Sequence, residues 1–244
     1  MIQPAPITEE LAEEINQLSF RMSPDVTSIY RLKKKAKDLM HVDPVAAHCL
    51  LAKLYLISWD LPKMEDEIRI LSSFPKGIQN TIIPILYIGA NNIKKAESYI
   101  EEYESYAAED RIRFYLAFGR FSDLAEDGGK NPDAFKAAVE QGEITPETLR
   151  NILSSTNATD KELRDAVLIF NEKLFLHNIR CHRIQLIESG DIELPPLIYE
   201  KQCSIEDVSK LLDVRDSCYS ALARNASTSA LNTIMFRVNR IHLN

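Results

Sequence analysis

The sequence contains little glycine, with only 7 glycines among its 244 residues. So low a count disfavours a β-sandwich or a turn-rich barrel, and it leaves little material for glycine-rich phosphate loops. The Gly-x-Ser-x-Gly, Walker, Gly-x-Gly-x-x-Gly and His-Glu-x-x-His motifs are missing as well. We therefore predict a protein that is not an enzyme and that holds no cofactor.

Long hydrophobic runs are also missing. The most apolar run, residues 82–90, is far shorter than the about 20 residues that a membrane helix needs. The first residues lack the basic and apolar regions of a secretory signal. The four cysteines follow no disulfide-framework or Cys-x-x-Cys spacing, which favours reduced thiols. We expect a cytoplasmic protein with no membrane partner.

Metal-ligating residues come close together at one place, where His177, Cys181 and His182 follow each other. His177 and Cys181 are four residues apart and would share one face of a predicted helix. A zinc site needs two further ligands, and nothing in the sequence brings Cys203 or Cys218 nearby. We interpret the cluster as ordinary packing and surface residues, and we predict no metal site.

Helical patterns fill most of the chain. Asp43 and Pro44 are typical of a helix start, and Thr159 caps a long helix that we expect to reach about Ser189. Two further helices are predicted over about 204–222 and 229–242. Turn formers cluster at 126–132 and predict a boundary between two units, 1–125 and 133–244. No stretch alternates convincingly with a period of two, so we predict an all-α protein.

Three tyrosines, Tyr55, Tyr87 and Tyr115, mark a recurring frame in this helical pattern. Four residues after each tyrosine comes a turn residue: Trp59, Asn91 or Gly119. Two residues further comes an apolar residue that would start the next helix: Leu61, Ile93 or Phe121. The frame predicts consecutive helical hairpins, each of which must stack on a neighbour to bury both of its apolar faces.

This frame resembles the tetratricopeptide repeat, which places an alanine nine residues after a tyrosine and a large apolar residue four beyond. The second copy matches this pattern with Tyr87, Ala96 and Ile100. The first copy departs from it at Met64, and Pro84 stands where a small residue is expected. The resemblance covers about residues 25–125. It implies a tetratricopeptide-like hairpin stack, which a C-terminal helical bundle would follow.

In such a stack the first helices of the hairpins line a concave groove. By resemblance, the groove positions are Cys49, Lys53, Leu56, Thr81, Ile85, Ile88, Arg113 and Leu116. A mixed apolar and cationic groove suits an amphipathic helix or an extended peptide that carries an acidic residue. We therefore predict a non-enzymatic adaptor, chaperone or regulator that holds a segment of a partner protein.

Two charged segments have open interpretations. The basic run of residues 31–37 would dock an acidic segment, nucleic acid or anionic lipid, or it is a solvated helix face. The acidic band of residues 97–110 would select a basic partner, or it too is a solvated outer face.

The last predicted helix, 229–242, would either cap the bundle or pair with a second copy of the chain to form a homodimer. The alternative function is a nucleic-acid-associated regulator. It would use a helix-turn-helix around 205–224, with Arg215 and Arg224 pointing outward. The formal net charge of −7 weighs against that alternative, because phosphate contacts need clustered cations.

Overall fold

The computed structural model describes residues 5–19, 25–77, 79–139, 144–191, 193–205 and 207–240. This part of the chain is mostly helical and contains one small sheet. The helices before the sheet are α1 Ala5–Ser19, α2 Val26–Asp38, α3 Pro44–Ile57, α4 Leu61–Leu71, α5 Gln79–Gly89, α6 Ile93–Glu97, α7 Ala108–Phe118, α8 Phe121–Lys130, α9 Pro132–Val139, α10 Pro146–Ser155 and α11 Asp160–Leu176. Short 3-10 helices lie at Leu39–His41 and Tyr103–Ser105. The C-terminal elements are β1 Cys181–Glu188, β2 Leu197–Cys203, α12 Val208–Asn225, α13 Thr228–Thr233 and β3 Ile234–Arg240.

The three predicted hairpin turns share one backbone geometry. Trp59, Asn91 and Gly119 have positive φ values of 53°, 60° and 70°. After each of them the next backbone N–H donates to the carbonyl oxygen of the frame tyrosine, at 2.8, 2.8 and 2.9 Å. Such a left-handed residue ends one helix and reverses the chain. The pairs α3–α4, α5–α6 and α7–α8 pack together accordingly.

The three frame tyrosines also have similar surroundings. Each is buried, and a cation lies over each ring: Lys33 4.1 Å from the centroid of Tyr55, Lys95 5.0 Å from that of Tyr87, and Arg120 5.2 Å from that of Tyr115. The residues nine positions on, Met64, Ala96 and Leu124, are buried too. The spacing of the frame therefore corresponds to equivalent structural positions.

The predicted break at 126–132 is much shorter than expected. Helix α8 runs through both glycines to Lys130, and Asn131 alone separates it from α9. Gly128 is buried, and a Cβ there would lie 2.2 Å from the ring of Phe135. This glycine therefore serves the close approach of α8 and α9 and not a turn, so the turn prediction was wrong at this point.

The all-α prediction was wrong for the C-terminal part, which contains three strands. Helix α11 ends at Leu176, so Cys181–Glu188 form β1 and not the end of a long helix. Of the predicted last helix, 229–242, only residues 229–233 lie in a described helix, Thr228–Thr233, and Ile234–Arg240 form β3. The remaining predicted positions, 241 and 242, lie outside the described residues. In the described residues, the helix predicted to cap the bundle or to pair with a second copy is therefore only the short helix Thr228–Thr233.

The strand order is β1-β2-β3, with β1 antiparallel and β3 parallel to the central β2. Helices α12 and α13 make the crossover from β2 to β3. Six of the seven residues of β2 are buried. A strand covered on both faces shows no alternation of apolar and polar residues, which explains why its sequence gave no strand signal.

The buried apolar residues form two clusters that meet in α7. Phe114, Ala117 and Phe118 belong to the cluster built by the preceding helices, whereas Ile112 and Tyr115 belong to the cluster that includes the sheet. The predicted division of the chain into two units, 1–125 and 133–244, stays a prediction. In the described part of the chain, no helix is both long and apolar enough to cross a membrane.

Candidate functional site

Four residues of the predicted groove meet at one place. Ile85 and Ile88 of α5 and Arg113 and Leu116 of α7 line a cavity of about 270 Å³, which we call the α5–α7 groove. Ile85 is 42% exposed, and Arg113 is exposed as well. On each helix the two residues are three apart and therefore project from one face. The groove thus offers an open apolar floor with a cation beside it.

Strand β1 supplies the opposite wall of the α5–α7 groove through His182, Arg183 and Ile184. Successive side chains of a strand point to opposite faces. Three consecutive lining residues therefore mean that the edge of β1, and not one face of the sheet, borders the groove. These residues were missed because the segment was predicted to be helical.

The walls of the groove are cationic. Arg113 and Arg183 are among its lining residues, and none of the described residues that line it is acidic. Arg113 bonds to Glu109 on its own helix at 2.5 Å, and both side chains are about half exposed. Exposed i,i+4 pairs of this kind contribute only about 0.5 kcal/mol, so a ligand carboxylate can compete for the guanidinium. The site favours a ligand that combines apolar side chains with negative charge.

The other predicted groove residues lie elsewhere. Lys53 donates to the side-chain amide oxygen of Asn16 on α1, and burial lowers the pKa of its ammonium. Leu56 is buried, and its Cδ2 lies 3.0 Å from where a Cβ of Gly89 would be. Cys49 is buried, which raises the pKa of its thiol to about 12. The structure therefore places these three residues in helix packing and not in the α5–α7 groove.

Thr81 lines a different cavity of about 730 Å³, which lies beside the 3-10 helix Tyr103–Ser105. Acidic residues of the predicted band, Glu101, Glu102 and Asp110, line that cavity. Burial raises the pKa of the Asp110 carboxyl. Lys76 forms an ion pair with Glu101 there, so part of the band is already neutralised within the chain.

A histidine of β1 and the serine that follows β2 resemble a catalytic dyad. The His182 Nε2 atom is hydrogen-bonded to the Ser204 hydroxyl, and Arg180 donates to both, at 3.2 Å to His182 and 3.0 Å to Ser204. Burial, with a contribution from Arg180, lowers the pKa of His182 to about 3. A base this weak does not activate a serine hydroxyl. We assign a structural role to the cluster, because Arg180 also donates to the carbonyl oxygen of Ile57 at 2.8 Å and so bonds this segment to α3.

The cysteine–histidine cluster does not have the arrangement that its sequence suggested. His177 follows the last residue of α11, whereas Cys181 and His182 belong to β1. The prediction that His177 and Cys181 share one helix face was therefore wrong. Cys181 lies opposite Cys203 in the sheet register. Among the described residues, no three His, Cys, Asp or Glu side chains are placed to hold a metal ion.

A buried lysine of the sheet bonds to two asparagines of the helical part of the molecule. Lys201 of β2 is fully buried and donates to Asn91 Oδ1 at 2.7 Å and to Asn171 Oδ1. Asn91 in turn donates to the carbonyl oxygen of Ile179 at 2.6 Å. Burial lowers the pKa of the Lys201 ammonium. The cluster bonds the α5–α6 turn, α11 and the sheet to one another.

The basic run of α2 is partly used within the chain. Arg31 and Lys35 form ion pairs with Glu14 of α1, and Lys33 lies over the ring of Tyr55. Lys34 and Lys37 are exposed, and neither has an ion pair among the described residues. The run is therefore neither a purely solvated face nor a continuous basic patch.

Arg215, predicted to point outward on α12, does not do so. Its Nε and Nη2 donate to the carbonyl oxygen of Val238, at 3.0 and 2.9 Å, and tie α12 to β3. Arg224 is exposed and bonds to the carbonyl oxygen of Ser220 in its own helix. One of the two arginines expected to contact nucleic acid is therefore committed within the chain.

Comparison of the chain with protein-family models, curated proteins and solved structures gave no match.

Proposed function

We propose that this protein is a non-enzymatic adaptor, chaperone or regulator that holds a segment of a partner protein in the α5–α7 groove. The observation that carries the proposal is the convergence of Ile85, Ile88, Arg113 and Leu116 on one open cavity, whose lining in the described part of the chain contains no acidic residue. Apolar floors flanked by cations suit amphipathic or extended segments that carry acidic residues.

A tetratricopeptide-like hairpin stack is the fold that we propose for residues 25–125. The shared left-handed turns after Tyr55, Tyr87 and Tyr115 support it, as do the buried residues nine positions on. Stacked hairpins commonly present extended concave surfaces to a partner. We further propose that the protein works in the cytoplasm, which its four free and buried cysteines favour.

A randomised peptide display selection on the purified full-length protein tests the proposed ligand. We expect enriched peptides to combine two or more large apolar residues with Asp or Glu. A synthetic peptide of the enriched sequence should bind with a micromolar Kd, and replacing its acids by Lys should weaken binding by about tenfold or more. Enrichment of basic peptides, or no enrichment, would contradict the proposal.

Matched variants place the bound peptide on the protein. Ile85→Glu changes a groove residue that is 42% exposed, whereas Ile70→Glu makes the same change at a residue of α4 that is 41% exposed. Arg113→Glu changes a groove arginine, and Arg69→Glu removes a similar surface ion pair on α4. Only the two groove variants should lose the peptide. Equal loss in both members of a pair would remove the groove assignment.

A further inference from the structure

Two helices near the ends of the fold expose apolar residues along one face. On α2, Val26 and Tyr30 are 79% and 74% exposed. On α12, Val208, Leu212 and Tyr219 are 58%, 52% and 44% exposed. Scattered single apolar residues on a surface need no explanation, but rows at helical spacing form continuous faces.

The exposed face of α2 continues into positive charge. Lys34 and Lys37 follow Tyr30 at four and seven residues, which places them on the same face. Neither lysine has an ion pair among the described residues, whereas the neighbouring Arg31 and Lys35 both bind Glu14. We call Val26, Tyr30, Lys34 and Lys37 the α2 face.

The exposed face of α12 carries the opposite charge. Asp216 lies four residues after Leu212 and three before Tyr219, within the apolar row, and Asp213 lies at its side. Both aspartates are exposed, and neither forms an ion pair within the described part of the chain. We call Val208, Leu212, Asp216 and Tyr219, with Asp213, the α12 face.

We propose that the α2 face of one molecule binds the α12 face of a second copy, so that the chain self-associates head to tail. The two faces have the same layout, with apolar residues at i and i+4 and a charged residue at i+8, and their charges are opposite. Juxtaposed lysines and aspartates complement each other across such a contact, whereas two α2 faces or two α12 faces would repel.

The positions of the two faces also fit this arrangement. Helix α2 packs on α1 and α3 at the N-terminal end of the hairpins, and α12 packs on α11 and β3. Terminal units of stacked helical structures normally present a polar outer face. The two exposed faces therefore lie on different elements with different neighbours, and a contact between two different surfaces builds rings or open chains, not only dimers.

Sedimentation of the full-length chain at increasing concentration tests the proposal. We expect the average mass to rise above the monomer and to fall again in 0.5 M salt, where charge attraction is screened. Lys34→Glu/Lys37→Glu and Asp213→Lys/Asp216→Lys should each weaken association by about tenfold or more. The control Lys136→Glu/Lys161→Glu makes the same charge change as the first variant at exposed lysines outside both faces, and it should associate like wild type.

Reversing the charge of both faces tests whether the α2 face and the α12 face meet. The α2 variant carries acids on both faces, and the α12 variant carries lysines on both faces, so each variant alone should dissociate. An equimolar mixture of the two should associate again, because every α2 face then meets an α12 face of opposite charge on the other variant. Combining all four substitutions in one chain restores opposite charges and should restore self-association.

Three results would overturn the proposal. One is a wild-type protein that stays monomeric at all concentrations. Another is a mixture of the two variants that does not associate while each variant is folded by circular dichroism. The third is association unchanged by both variants. Binding of the wild-type α2 face to anionic vesicles or an acidic protein, without any self-association, would likewise assign that face to a different occupant.

Discussion

We call helices α3 to α8 the hairpin part and the elements from β1 to β3 the sheet part. Different kinds of contact hold these two parts of the molecule in place. The hairpins repeat a local unit, in which a buried tyrosine, a left-handed turn residue and a small or apolar residue recur at fixed spacing. The sheet shares an apolar cluster with α7 and α8, and single buried polar groups also bond the sheet part to the hairpins. Lys201 bonds to Asn91, Arg180 to the carbonyl oxygen of Ile57, and Tyr199 to that of Ala117.

The two parts nevertheless share one local turn conformation, and different secondary structure follows it in each part. Asn178 has a φ of 57°, close to the values at Trp59 and Asn91, and the next N–H bonds to Leu174 as in the hairpins. A helix follows in the hairpins, but β1 follows Asn178. The turn reverses the chain in each case, and the residues after it decide what forms.

The largest expected effect comes from removing the ammonium that bridges the two parts. Lys201→Met leaves the buried Oδ1 atoms of Asn91 and Asn171 without their donor. We expect the free energy of unfolding to fall by about 3 kcal/mol. Urea unfolding followed by circular dichroism measures it. Lys63→Met, at an exposed ion pair within a hairpin, should change stability by no more than about 0.5 kcal/mol.

Replacing asparagine by glycine at two left-handed positions should separate the contribution of the backbone conformation to stability from that of the side chain. Asn91→Gly keeps the backbone geometry but removes the bonds to Lys201 and to the carbonyl oxygen of Ile179, so we expect a loss of about 2 kcal/mol. Asn178→Gly at an exposed position should stay within about 0.5 kcal/mol of wild type. Equal effects in urea unfolding would mean that the amide of Asn91 contributes nothing.

Acid should weaken the sheet part through His182. Burial lowers the pKa of this histidine to about 3, whereas the unfolded chain takes up the proton near pH 6.5. The unfolded state therefore binds more protons between these values, and stability falls as the pH falls through them. The contribution amounts to at most about 1.4 kcal/mol for each pH unit.

Unfolding free energies measured between pH 6.5 and pH 4.5 check this prediction. His182→Gln should have a shallower pH dependence than wild type, and His41→Gln, at an exposed histidine, should not. Parallel curves for wild type and His182→Gln would show that His182 does not resist protonation in the folded protein.

Four of the predicted groove residues line one cavity, for a physical reason. Residues of α5 and α7 could be placed on one face because helical spacing is a local property, and Ile85, Ile88, Arg113 and Leu116 do share a groove. The wall made by β1 could not be placed, because its position depends on pairing with β2 across an intervening loop. Lys53 also looked available, and only the packing of α1 shows its bond to Asn16.

By itself the sequence determined where the hairpins turn, since a tyrosine, a left-handed residue and a helix start act over a few neighbouring positions. It did not determine the last strand. Ile234, Met235 and Val238 fit a helical stripe, but Ile234, Phe236 and Val238 are the residues that β3 buries by alternation. A short apolar segment satisfies both periods. Parallel pairing with β2, more than 30 residues earlier, decided between them, because only the folded chain supplies that partner.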